Sequence, residues 1–206
     1  LAVAGKVITF QLGVRFLTDH LNGDTYFRVH REGQNLDRAR VQFKLVEQMP
    51  AMWLQLEGWV DSVCPDGFSM RAIDIQQEGE AWVEAMCAGY EIPMPVGAMF
   101  GHQDLPEGLS VEHFAVFEGD RMVATSMSFQ DGAMGGVYCV ATRKEARRRG
   151  LGEVVTGVAV SALRKAGASM AVLQASHAGT PIYERMGFVS AGTLPLYVRI
   201  PESSTT

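Results

Sequence analysis

The chain has 206 residues, 47% hydrophobic and 20% charged, ordinary values that exclude wholesale disorder and suit one domain with a small appendage. No run approaches the ~18 apolar residues of a membrane span, and a net charge of −5 argues against a general nucleic-acid binder. Cys64, Cys87 and Cys139 share no metal-ligand spacing and form no even disulfide framework, which points to a reduced, cytosolic protein.

Phe10, Val14, Leu17 and Leu21 recur at helical spacing, and Asn22-Gly23 closes that helix. Asn35 is expected to cap a second helix carrying Leu36, Ala39, Phe43 and Val46 on its apolar face. Pro50 should break it or begin another helix with Met52, Trp53 and Leu56, so residues 1–63 read as an all-helical appendage. Cys64-Pro65-Asp66-Gly67 has turn composition and is expected to link this appendage to the domain at 68–200, with 201–206 as a flexible tail.

From Phe68 the pattern is mixed. Met70–Ile75 suits a strand, and Glu78–Tyr90 a helix with Trp82, Val83, Met86 and Cys87 inside. His113–Phe117 and Met122–Phe129 read as a hairpin across Glu118-Gly119-Asp120-Arg121, and Gly136–Ala141 as a third strand. Glu153–Lys165 is expected to be a helix, Ser169–Ala175 a strand buried on both faces, and Pro181–Met186 a short helix. Phe188-Val189 and Leu196–Ile200 would close the sheet. Antiparallel strands followed by a strand–helix–strand unit predict an α+β fold, a mixed sheet flanked by helices.

Charge is unevenly placed. Residues 65–131 carry two basic and twelve acidic side chains, whereas Arg143, Lys144, Arg147, Arg148 and Arg149 put five positive charges into seven residues. The basic knot leads into Gly150-Leu151-Gly152 and a helix. A helix start offers unpaired N–H groups and the positive end of the macrodipole, glycines let phosphate oxygens approach, and arginines add charge. The junction therefore reads as a pyrophosphate cradle. It lacks the third glycine of a dinucleotide fingerprint, and the chain has no Gly-x-x-x-x-Gly-Lys-Ser/Thr.

Strand, Arg147-x-x-Gly150-x-Gly152, helix and apolar strand are followed by Ile182-Tyr183-x-x-x-Gly187-Phe188. This order resembles the GNAT acyltransferase superfamily over about 68–200. The resemblance implies an N-acetyltransferase that moves acetyl from acetyl-CoA to a primary amine of a small molecule or peptide by direct attack. It implies cofactor contacts at Val140, Ala141 and Thr142 for the pantetheine arm, and at Arg147, Arg148, Arg149, Gly150, Leu151 and Gly152 for the pyrophosphate. The N–H near Val140 would polarise the thioester carbonyl, and Tyr183 would be the catalytic acid that protonates the leaving thiolate. Ser176 stands where many members have Asn, and Gly179 where Ala is usual. Ser176 is still expected to bond a pantetheine carbonyl.

No Asp or Glu lies in 135–141, so the general base is not apparent; Glu112, His113 and Asp131 are candidates by position. Cys139 reads as core. The acidic stretch 65–131 would attract cationic amines or simply solvate the surface. Scattered histidines predict no metal. The alternative function is a non-catalytic acyl-CoA-binding sensor or scaffold module.

Phe16–Phe27 and His30–Phe43 resemble the C-terminal tail of aminoglycoside- and N-acetylhexosamine-type phosphotransferases. No catalytic loop or phosphate loop accompanies them, so no kinase activity is expected. A start at Leu1 suits the remnant of a kinase–acetyltransferase fusion. An independent appendage that covers the sheet or makes a homodimer fits equally.

Overall fold

The computed structural model describes residues 23–25, 28–40, 50–100 and 109–193. Among them, seven strands form one mixed sheet: β1 (Pro50–Gln55), β2 (Phe68–Ile73), β3 (Ser110–Glu118), β4 (Arg121–Asp131), β5 (Met134–Thr142), β6 (Met170–Gln174) and β7 (Val189–Thr193). Their spatial order is β2-β3-β4-β5-β6-β1-β7. The flanking helices are α1 (Ile75–Tyr90), α2 (Leu151–Lys165) and α3 (Thr180–Arg185), and short helical turns at Met94–Gly97 and Ala98–Phe100 follow α1. The fold is the expected α+β mixed sheet.

Strand alternation sends β3 side chains to two cores. Ala115 and Phe117 join Trp82, Val83 and Met86 of α1, whereas Phe114 and Val116 pack with Val155, Val160 and Leu163 of α2. Trp82 is fully buried, and its indole N–H donates to Phe114 O at 3.0 Å, so its one polar atom is satisfied. Asp74 caps α1 by accepting from the Gln76 N–H at 3.0 Å. Glu91, in the left-handed region at φ 57°, closes it.

The helical expectation for residues 50–56 is corrected. Pro50–Gln55 is a strand that lies between β6 and β7 and pairs antiparallel with both. A short apolar run such as Met52-Trp53-Leu54 fits either period, and partners more than a hundred residues away decide the outcome. The sheet thus takes strands from both sides of the Cys64–Gly67 turn, and residues 1–63 are not wholly a helical appendage. Residues 56–66 then cross the outer face of α2. The Trp59 indole N–H donates to Ser161 Oγ at 3.0 Å, Ser161 Oγ donates to Asp61 at 2.7 Å, and Arg164 donates to Trp59 O at 2.8 Å. Gly157 permits this crossing: a Cβ there would stand 1.8 Å from Ser62 Oγ.

A second correction concerns Asn35. It lies inside the helical residues 34–40, buried, and does not cap them. Its amide donates to Asp24 at 2.9 Å and its carbonyl accepts from Arg38 at 2.8 Å, while Gly33 O receives the Asp37 N–H. The expected helix at 10–21, the Phe43 and Val46 positions, the strand at 196–200 and the tail at 201–206 lie outside the described residues.

Candidate functional site

β5 and β6 run parallel but pair only over Met134–Gly136 and Met170–Val172. Beyond Gly136, β5 has no β6 partner among the described residues, and a gap opens between the two strands. The edge of the gap is reshaped by a bulge. The β4–β5 register passes from Thr125↔Ala141 to Met127↔Tyr138, so Ser126 faces both Cys139 and Val140. Cys139 adopts φ 52°, which costs a non-glycine residue about 1–2 kcal/mol. Two buried hydroxyls brace the strained turn: Thr125 Oγ1 donates to Cys139 O at 3.1 Å, and Ser126 Oγ donates to Val155 O at 2.6 Å. The bulge puts Tyr138, Cys139 and Ala141 together in the α1-side core and turns Val140 toward the α2 side.

The loop after β5 ends at Gly150, the N-cap of α2, at φ 79°. The N–H groups of Glu153 and Val154 return to Gly150 O. Those of Arg148, Arg149, Gly150, Leu151 and Gly152 have no backbone acceptor among the described residues. Among the described residues these five amides are left open at the positive end of a fifteen-residue helix, an arrangement that favours an anion. These are the backbone groups that the sequence pattern singles out.

The arginine side chains divide differently from the expectation. Arg147 donates through Nη2 to Gly89 O at 2.7 Å and to Glu91 Oε1 at 3.0 Å, and through Nε to Thr142 O at 3.2 Å. It fastens the loop to the end of α1. Arg149 pairs with Glu118 at 2.8 Å and lies 4.4 Å over the Phe68 ring. Arg143, buried, donates to Met122 O at 2.7 Å and to both carboxylate oxygens of Glu84. Arg148 and Lys144 have no acidic partner among the described residues.

Tyr183 is 8% exposed and packs edge-on against Phe188 with ring centroids 5.9 Å apart. Burial pushes its phenol up to about 12, opposed by a hydrogen bond with Thr156, which stands one turn inside α2. Thr156 Oγ1 in turn donates to Gly152 O at 2.8 Å. Thr156 thus stands between the Tyr183 phenol and the first turn of α2. Ser176 Oγ accepts the Gly179 N–H at 3.1 Å, and its carbonyl receives the Thr180 N–H at 2.9 Å, so Ser176 fixes the start of α3. A Cβ on Gly179 would press within 2.9 Å of Tyr183 Cε2, which accounts for glycine at this position.

The three candidate bases diverge. Glu112 and Asp131 are exposed. His113 is buried, meets Trp82 edge-on at 4.7 Å and donates to Phe100 O at 3.2 Å, and burial lowers its pKa. Cys139 is core: burial pushes its thiol up to about 12, far from a reactive thiolate. Sequence reasoning missed Tyr90, the last residue of α1. Its hydroxyl is held well above the usual phenol value by burial beside the Cys139 and Tyr183 side chains, while 45% of the residue stays exposed. No sequence motif marks it.

A cleft of about 690 Å³ lies elsewhere, between α1 and the β3–β4 turn. Its arginines already hold carboxylates, Arg71 with Glu78 and Arg143 with Glu84, and it shares no residue with the gap or the cradle. Among the described residues no cluster of three or more His, Cys, Asp or Glu could hold a metal. None of their helices is long and apolar enough to cross a membrane.

A family model described as an acetyltransferase (GNAT) domain matches residues 76–191. Solved structures share the fold. A GCN5-related N-acetyltransferase from Kribbella flavida superposes with a TM-score of 0.57 at 21% identity, over 77% of this chain and 61% of that one. Another, from Sphaerobacter thermophilus, gives 0.58 at 17%, over 70% and 48%. A third, from Ralstonia eutropha, gives 0.53 at 22%, over 65% and 99%. The chain spans about half to three fifths of the length of the first two. The resemblance of residues 1–63 to a phosphotransferase tail finds no support in the family match, which begins at residue 76.

Proposed function

The chain belongs to the GNAT acetyltransferase family, and from that premise we propose that it moves acetyl from acetyl-CoA to a primary amine of a small molecule or peptide by direct attack. The observation that carries this reading is the presence together of three parts: the gap beyond Gly136, the open amides of Arg148–Gly152, and the buried phenol of Tyr183 beside Thr156 of the same helix.

The fit to acetyl-CoA can be followed along its length. The amides of Arg148–Gly152 would hold the pyrophosphate, with Arg148 the arginine of the motif that has no carboxylate partner among the described residues. The open edge of β5 at Val140–Thr142 would pair with the pantetheine amides, as an added strand does. Ser176 sits across the gap at the end of β6, and its hydroxyl, already accepting from Gly179, still has a proton to donate. Acetyl-CoA supplies the activated acyl group. The protein's part is to hold the thioester carbonyl against the Val140 N–H, where negative charge develops on oxygen. As the C–N bond forms and the C–S bond breaks, Tyr183, protonated throughout the neutral range, gives its proton to the departing sulfur, and the surplus proton of the attacking nitrogen passes through water to restore the phenol. The same dry surroundings that raise the phenol also raise the basicity of a buried thiolate, so the transfer is not opposed by the full difference in solution.

The test is a thiol-release assay with acetyl-CoA across amines, aminoglycosides, amino acids and peptides. Release that depends on an amine supports the reading. Tight acetyl-CoA binding with no release across the whole panel overturns it in favour of a cofactor-sensing module.

A further inference from the structure

The guanidinium of Arg147 bonds the end of α1 and the end of β5. It spans from Thr142 O, at the mouth of the gap, to Gly89 O and the Glu91 carboxylate, the residues on either side of Tyr90. Gly89 lets α1 come down onto the strand at this point: a Cβ there would stand 2.8 Å from Ala141 Cβ and 2.9 Å from the Thr142 backbone nitrogen. The end of α1 is thus laid on β5 and clasped there. Tyr90 stands between the two clasped residues, where the end of α1 lies on Ala141 and Thr142 of β5, and Cys139 and Tyr183 both act on its hydroxyl. It also keeps 45% of its surface open, so a bound molecule can touch it. The chain then continues through the short helical turns Met94–Gly97 and Ala98–Phe100.

We propose that Tyr90 is a substrate-contacting residue on the acceptor side of the gap, and that Arg147 is the positioning residue that sets it there by clasping Gly89 and Glu91. This rests on the acetyltransferase reading above. It reassigns Arg147 from a phosphate ligand to a strut between the cofactor loop and the acceptor wall. A carboxylate, a helix C-terminal carbonyl and a strand carbonyl engage Nε and Nη2 in a fork that lysine cannot reproduce. Acetyl-CoA held at the cradle would therefore brace Tyr90 through the same side chain.

The experiment uses the full chain and four variants: Arg147→Gln, Arg147→Lys, Tyr90→Phe and Tyr90→Ala. Calorimetry gives the acetyl-CoA Kd, steady-state kinetics give the acceptor KM, and hydrogen exchange follows residues 87–92, where the Ile92 N–H bonds Cys87 O. For Arg147→Gln the Kd should stay within about threefold while the acceptor KM rises about tenfold or more, with faster exchange over 87–92. Arg147→Lys should recover little of either. Tyr90→Ala should raise the acceptor KM at unchanged Kd, and Tyr90→Phe should divide that effect into ring and hydroxyl parts. A Kd raised more than about tenfold with the acceptor KM unmoved would return Arg147 to the phosphates and overturn the proposal. An unchanged acceptor KM in Tyr90→Ala would overturn it too. If the wild type turns over no amine, the acetyltransferase reading fails by itself. The clasp is then still judged: unchanged exchange over 87–92 in Arg147→Gln refutes it, and faster exchange with unchanged Kd supports it.

Discussion

Gly150 offers a clean separation of backbone strain from ligand electrostatics. It adopts φ 79° at the N-cap of α2, and a Cβ built there meets nothing within 4 Å. Gly150→Ala therefore carries no clash, only the left-handed backbone, about 1–2 kcal/mol, or about 2–8 °C in Tm for a chain of this size. Gly150→Glu carries the same cost, less the ~0.3–1 kcal/mol that a carboxylate gains at the positive end of a helix. The two variants should thus melt close together. In cofactor binding they should part. A carboxylate about 6 Å from a doubly charged pyrophosphate costs about 1.4 kcal/mol at the dielectric of bulk water and about 5.5 kcal/mol at an effective value near 20, at least roughly tenfold in affinity. Calorimetry with acetyl-CoA on wild type and both variants, at low and at high salt, reads this directly. Screening should shrink the difference between Glu and Ala variants as salt rises. If Gly150→Glu binds acetyl-CoA as tightly as Gly150→Ala, the pyrophosphate does not lie on these amides and the site is misassigned.

Three further outcomes are expected. Tyr183→Phe should lower kcat about 100-fold in a thiol-release assay while acetyl-CoA affinity changes by less than about twofold. Tyr183 and Tyr138, both pushed up to about 12 by burial, bind their protons more tightly folded than unfolded. Their stabilisation is complete below pH ~10 and is lost as pH rises toward ~12, roughly 2–3 kcal/mol for each phenol, so urea midpoints should fall across that window and fall less in Tyr183→Phe. Gly157→Ala should destabilise by about 1–3 kcal/mol despite its better helix propensity, because the new Cβ meets Ser62. The double variant Gly157→Ala/Ser62→Gly should recover most of that loss, and recovery of none of it would show that the crossing segment does not pack as described.

Local signals carried far in this protein. Most of α1, read as Glu78–Tyr90 and observed from Ile75, the β3–β4 hairpin and α2 all follow from periodicity and turn residues, which depend on neighbours a few positions away. The open amides before α2 were legible for the same reason: Gly150-Leu151-Gly152 before a helix is enough to expose them. Tyr183 was legible through its spacing from Gly187-Phe188, although its depth in the core was not.

What tertiary structure alone decided is long-range. β1 exists because β6 and β7 lie on either side of it, not because Pro50–Gln55 prefers a strand. The gap exists because the β5–β6 ladder ends at Gly136 and Val172, and no property of either strand by itself announces that limit. The basic knot is the sharpest case. The sequence pattern offers Arg147, Arg148 and Arg149 of that knot to a pyrophosphate, yet Glu91 and Glu118, distant in sequence, pair with two of those guanidinium groups, and Glu84 pairs with that of Arg143. Charge can be counted along a chain, but an arginine's role depends on which carboxylate the fold brings within about 3 Å of it, and that choice belongs to packing.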